Sequence, residues 1–176
     1  MQFMACRESI AARPDLGWFA IRVKPRHEKS VFRLIEGQGL EQLLPLQHVR
    51  RWAKRTRDVQ VPIFPGYVFC RFDRSSWARV VQTPGVIDVV RSGGAPVGIC
   101  SEEMTSLQRL HRMGSAMEPW PYLPAGQTVR ISAGPLAGVT GRLVEVKCLT
   151  RLVLSVSLLQ RSVLVEIDRE WLVVAN

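Results

Sequence analysis

The chain has 176 residues, 47% of them hydrophobic and 22% charged, with a formal net charge of +9. That length and apolar content suit one ordinary domain or two small ones and exclude global disorder. No run of about 18 apolar residues exists, which excludes a transmembrane helix.

Residues 1–16 lack the apolar core of a signal peptide and read as a frayed N-terminal extension. The cysteines (Cys6, Cys70, Cys100, Cys148) form no CxxC pair, and His27, His48 and His111 are scattered. Neither a metal site nor a disulfide framework is expected, and the thiols read as reduced bystanders in a cytoplasm. Residues 22–57 hold ten Lys and Arg against three Asp and Glu, so seven of the nine excess charges sit in this stretch. Such a local cluster points to nucleic acid or another polyanion.

In chain order, "GWFAIRVK" (17–24) alternates as a strand and stops at Pro25. "RHEKSVFRLIEGQG" places Val31, Leu34 and Ile35 on one helical face, with Gly37 and Gly39 as stop signals. "LEQLLPLQHVR" is extended, "RRWAKRTRD" (50–58) is a basic hairpin tip, and "VQVPIFPGYVFCRF" returns. Proline is out of place in a central strand, so "VPIFPG" reads as a bent entrance and "YVFCRF" as the strand proper. "RSSWARVVQTPG" is a short helix and turn, and "VIDVVRSGG" a strand closed by glycines. "CSEEMTSLQRLHRMG" is a helix with Ser101 suited to its N-cap and a Met104, Leu107, Leu110 stripe. "GSAMEPWPYLPAG" breaks all periodicity and reads as a stiffened linker. Beyond it lie four or five short alternating strands with glycine-rich turns, the texture of a small β-barrel. The order predicts an α+β plait followed by that barrel.

Two motif groups now stand in order. "FPGYVF" (64–69) lies between "WFAIRVKPRHEK" (18–29) and "TPGVIDVV" (83–90), and "GQTVRISAGPLAGVTGRLVEV" (126–146) opens the barrel. Together they resemble the NusG family of transcription elongation and antitermination factors, over roughly residues 17–175. "PYLPAG" and "LVLSVSLLQRSVLVEID" look more like its specialised paralogues of the RfaH, LoaP and UpxY type. The resemblance implies an NGN α/β plait at 17–113, a Pro-rich linker at 114–125 and a KOW-containing SH3-like barrel at 126–176. Val153, Val156, Val163, Val165 and Ile167 favour strands, so a barrel without the RfaH-type helical switch is expected.

By resemblance, the NGN domain binds the β′ clamp helices of RNA polymerase and reaches toward the β subunit, suppressing pausing and termination. The implied contact residues are Trp18 or Phe19, with Phe64, Pro65, Tyr67, Phe69 and Val89. Tyr67 and Phe69 share one strand face, and ordinary core packing is the competing reading for these two. The basic tip, Arg50, Arg51, Trp52, Lys54, Arg55 and Arg57, suits phosphates and stacking, and in the family this side faces upstream DNA or the β subunit. Ser76, Trp77 and Arg79 lie where some members read the non-template strand. Gly134, Gly138 and Gly141 surround the KOW turn. Leu158 and Leu159, read as adjacent strand residues, match a segment that contacts Rho or a small-subunit ribosomal protein in the family. No catalytic arrangement and no phosphate-cradling GxxxxGK[ST] is present. A monomeric cytoplasmic protein is therefore expected, with no cofactor, no membrane and no enzymatic role. The competing function is a KOW-type RNA-binding or ribosome-associated protein.

Overall fold

The computed structural model describes residues 16–51, 57–120, 128–146, 149–167 and 172–174. Their packing gives two compact units, one from the described parts of 1–44 and 65–101, the other from 45–64 and 102–176. Among the described residues no helix is long and apolar enough to cross a membrane.

In the first unit, β1 (Leu16–Val23) takes the opening alternation, and α1 (Glu28–Glu36) follows with Val31 and Ile35 buried. Then come β2 (Glu41–Leu43), β5 (Tyr67–Asp73), a 3-10 turn (Arg74–Ser76), α2 (Trp77–Val81) and β6 (Val86–Val89). The strands form an antiparallel sheet in the order β2-β5-β1-β6. A two-residue ladder, β7 (Arg91–Ser92) with β8 (Ala95–Pro96), turns at Gly93 and Gly94.

Register decides the two sheet faces, because residues directly opposite each other share one. Phe19 pairs with Cys70, Ile21 with Val68 on one side and Val89 on the other, and Phe19 stacks on Phe72 with ring centroids 4.5 Å apart. All six are buried. The opposite face pairs Trp18 with Arg71, Ala20 with Phe69, and Arg22 with both Tyr67 and Asp88.

In the second unit, β3 (Leu46–Arg51) and β4 (Arg57–Pro62) form a ribbon of their own, with Arg51 opposite Arg57 at the tip end. The extended reading of 40–50 therefore divides at Pro45. Pro62 pairs only at the ribbon's last position, opposite Leu46, where a missing donor costs least. Next come α3 (Ser101–Arg112), assigned to this unit from Glu102 onward, and β9 (Met117–Trp120). β10 (Thr128–Ile131), β11 (Thr140–Val146), β12 (Leu149–Val156), β13 (Arg161–Glu166) and β14 (Leu172–Val174) complete an antiparallel sheet. Its order is β14-β10-β11-β12-β13-β9.

β9 corrects the sequence reading at one point. Part of the Pro-rich stretch pairs with β13, Val163 opposite Pro119. β9 is an edge strand, so Pro119 is tolerated there. Val153, Val156, Val163 and Val165 are buried strand residues, and Ile167, just past β13, is buried too. Among the described residues, polar contacts join helix α3 to the strands and turns of this unit. The Glu103 carboxylate accepts from Ser157 N at 3.3 Å and Ser157 Oγ at 2.7 Å. Ser106 Oγ accepts from Thr140 N at 3.4 Å, and the Arg109 guanidinium donates to the Ala137 carbonyl.

Candidate functional site

The residues expected to form a polymerase-binding patch divide between the faces. Trp18, Tyr67 and Phe69 share one face, whereas Phe19 and Val89 belong to the other and are core. Alternation alone left Trp18 and Phe19 open, and the register separates them. Phe64 is also buried, at 1% exposure, and Phe69 is fully buried. Pro65 is exposed and Tyr67 half-buried, while Trp18 lies at 9%. Five of the seven side chains are buried, and two reach the surface.

Those two sit at a sharp corner. Gly66 has φ +83, and a Pro-Gly pair supplies the fixed φ and the left-handed step that such a turn requires. Its carbonyl accepts from Val23 N at 2.9 Å. A second Pro-Gly corner, Pro84–Gly85, has φ +95 at the glycine, whose carbonyl accepts from Lys24 N at 2.9 Å. The quoted "FPG" and "TPG" motifs thus do the same work on consecutive amides at the end of β1. The Gly66 N–H is taken by Glu28 Oε1 at 2.9 Å, a contact that no sequence signal marked.

Ser76, Trp77 and Arg79 gather at the start of α2. Asp73 shapes this corner. Its carboxylate accepts from Ser75 Oγ, from Ser76 N at 2.9 Å and from Ser76 Oγ at 3.0 Å. The Ser75 hydroxyl leads in holding the Asp73 carboxyl below its ordinary range, with Ser76 adding to it. Arg79 donates to the Gln38 carbonyl at 3.2 Å. Trp77 is half-buried, and its buried Nε1 has no hydrogen-bond partner among the described residues. The Arg91 guanidinium lies 5.6 Å from the Trp77 ring centre and pairs with Asp88. Arg91 joins this group from a separate short strand, so spacing around Trp77 could not have revealed it.

Of the basic tip, Arg50, Arg51 and Arg57 lie on the ribbon's backbone, and Trp52, Lys54 and Arg55 fall outside the described residues. Gly134 and Gly138 have φ values of +77 and +87, the conformation that the turn reading requires. Gly141 differs. A Cβ there would come within 2.8 Å of the Val153 carbonyl oxygen, so close strand approach, not turn geometry, demands glycine. Leu158 and Leu159 are not strand residues. They form a 3-10 turn, Ser157–Leu159, closed by Gln160 at φ +51, and both are half-buried. The opposite-faces expectation fails because the chain reverses there. Cys70 is buried and its thiol is pushed up to about 12, first by burial and then by Glu41, so it stays protonated at neutral pH.

The NusG model, "Transcription termination factor nusG", matches residues 16–108. The transcription termination/antitermination protein NusG of Vibrio parahaemolyticus is 29% identical, covering 90% of this chain and 96% of its own. That of Pseudomonas aeruginosa is 30% identical, covering 86% and 94%. A solved structure of Thermotoga maritima NusG, 21% identical, covers 93% of this chain and 99% of its own with a TM-score of 0.55. That likeness gives the fold, an α+β chain with an NGN-type plait and a KOW-type SH3-like barrel. The family model spans more than half the chain, and this protein belongs to the NusG family.

Proposed function

We propose that this chain is a transcription elongation and antitermination factor that binds the β′ clamp helices of RNA polymerase through the sheet face centred on Tyr67. The observation that supports it most is the exposed Pro65 and half-buried Tyr67 at a rigid corner, within the segment matched by the family model. A half-buried tyrosine supplies apolar area with a polar tip at little entropic cost, the usual character of an interface anchor. Trp18 and Phe69 back it from the same face.

The mechanism needs no covalent step. Pausing requires the clamp to loosen. A protein that binds only the closed clamp shifts that equilibrium by its differential affinity, and polymerase then runs through pauses and terminators. In this reading the NGN domain spans 17–113 and the KOW domain 126–176. The basic ribbon tip meets upstream DNA or the β subunit. Ser76, Trp77 and Arg79, joined by Arg91, face the non-template strand. The Ser157–Leu159 turn and the KOW turn recruit Rho or a small-subunit ribosomal protein. The protein works in the cytoplasm as a monomer, in the operon-specific manner of the specialised paralogues.

Isolated β′ clamp helices titrated with the full chain test this reading. Saturable binding that Tyr67→Ala weakens supports it. Tight binding to structured RNA with no affinity for polymerase would instead favour the RNA-binding or ribosome-associated role.

A further inference from the structure

Glu28 is a charged residue only 7% exposed, in a position that the proposed mechanism leaves unused. It is the first residue of the nine-residue helix α1, where the partial positive charge of the helix start favours a carboxylate. Its Oε1 leaves the helix and accepts the Gly66 N–H at 2.9 Å, 38 residues away in sequence. The other side of the same residue is held as well, since the Gly66 carbonyl accepts from Val23 N at 2.9 Å. Among the described residues, a Cβ built on Gly66 would meet nothing within 4 Å, and glycine reaches φ +83 as readily as other values, so these two hydrogen bonds are the restraints the structure shows on it.

We propose that Glu28 is the positioning residue of the contact face. From the start of α1 it holds the Pro65–Gly66 corner, and so sets where Pro65 and the Tyr67 ring stand when a partner arrives. The inference rests on the polymerase-binding reading for its partner, but its physical core, a carboxylate that fixes one backbone amide, stands on geometry within the first unit. A charge-assisted hydrogen bond to a backbone N–H is stronger than a neutral one. Losing it frees the corner to sample other φ values, and a preorganised contact then becomes one that must be ordered on binding.

The test uses the full chain with two readouts: amide hydrogen exchange at Gly66, followed by NMR, and affinity for isolated β′ clamp helices. Glu28→Ala should speed Gly66 exchange about tenfold or more while Val68 and Phe69 keep their protection, and weaken clamp-helix binding about tenfold. Glu28→Gln keeps an acceptor oxygen and should bring both readouts back to within about threefold of the parent. If Glu28→Ala does not fold, Glu28→Asp, which retracts the carboxylate by one methylene, gives the same two readouts. Unchanged Gly66 exchange, or full affinity despite faster exchange, overturns the proposal. Uniform loss of protection along β1 and β5 in Glu28→Asp also overturns it, because Glu28 would then hold the fold and not the corner. Should the parent chain itself ignore the clamp helices, the polymerase reading falls, while Gly66 exchange still decides whether Glu28 fixes the corner.

Discussion

Glu28 in the first unit and Glu103 in the second use one device in two settings. Each sits in the first turn of a helix, and each carboxylate accepts a backbone N–H from a distant turn, Gly66 in one case and Ser157 in the other. The turns they hold are two of the places where partner contacts are proposed. The Gly66 corner offers only its own backbone N–H and carbonyl, to the Glu28 carboxylate and to Val23 N, and uses a glycine at φ +83. The Ser157 turn depends on a side chain, the Ser157 hydroxyl at 2.7 Å, and is closed by a non-glycine, Gln160, at φ +51. The first turn is therefore sensitive to backbone change and the second to side-chain change.

The largest expected effect separates the two turns by partner. Tyr67→Ala should weaken clamp-helix binding by about 2 kcal/mol, roughly thirtyfold, as loss of a central aromatic anchor does. Leu158→Ala should leave that affinity within about twofold, because peripheral and non-contacting residues carry little binding energy. Equal losses, measured by calorimetric titration, would break the distinction. Next comes backbone strain. Gly66→Ala should cost about 1–2 kcal/mol of unfolding free energy in urea melts, the ordinary penalty of an L-residue in the left-handed region. Gln160→Gly should move the other way, gaining up to about 1 kcal/mol against its entropic cost. Ser157→Ala should then cost about 1 kcal/mol, since it removes the shortest bond to Glu103.

The smallest effect is a pH dependence. Burial pushes the Glu103 carboxyl up, against the opposing pull of the Ser157 bonds and Arg142. A raised carboxyl pKa means that the folded state binds the proton more tightly. Stability therefore declines as pH rises from the ordinary glutamate range through the folded value. Asp73 has the opposite sign. Its folded pKa is lowered, so its contribution is present above the ordinary aspartate value and lost as pH falls through the folded one. Glu103→Gln should flatten the first window and change neutral-pH stability by less than about 1 kcal/mol, read from melting temperatures across pH. An unchanged profile would remove Glu103 from the comparison.

Elements with a clear period were legible in the sequence. β1, α1, α3 and the split of "VPIFPGYVFCRF" into a bent entrance and a strand all follow from alternation, helical spacing and proline placement. What escaped depended on neighbours in space. Pro119 forbids a central strand but not an edge strand, and only the sheet order says which β9 is. Leu158 and Leu159 lie between two alternating runs, so nothing local marked a left-handed step at Gln160. The candidate face was partly legible for the same reason. Tyr67 and Phe69 share a face by strand period, but whether Trp18 or Phe19 joins them is a question of register. Glu28 could not have been singled out, because its partner is a backbone amide 38 residues away.

Transcription by cognate RNA polymerase, on a template bearing a pause site and a terminator, with and without the full chain, tests the central claim most directly. The account predicts shorter pause lifetimes and more read-through with the protein present, and both effects diminished by Tyr67→Ala. Unchanged pausing and read-through at saturating protein would contradict it.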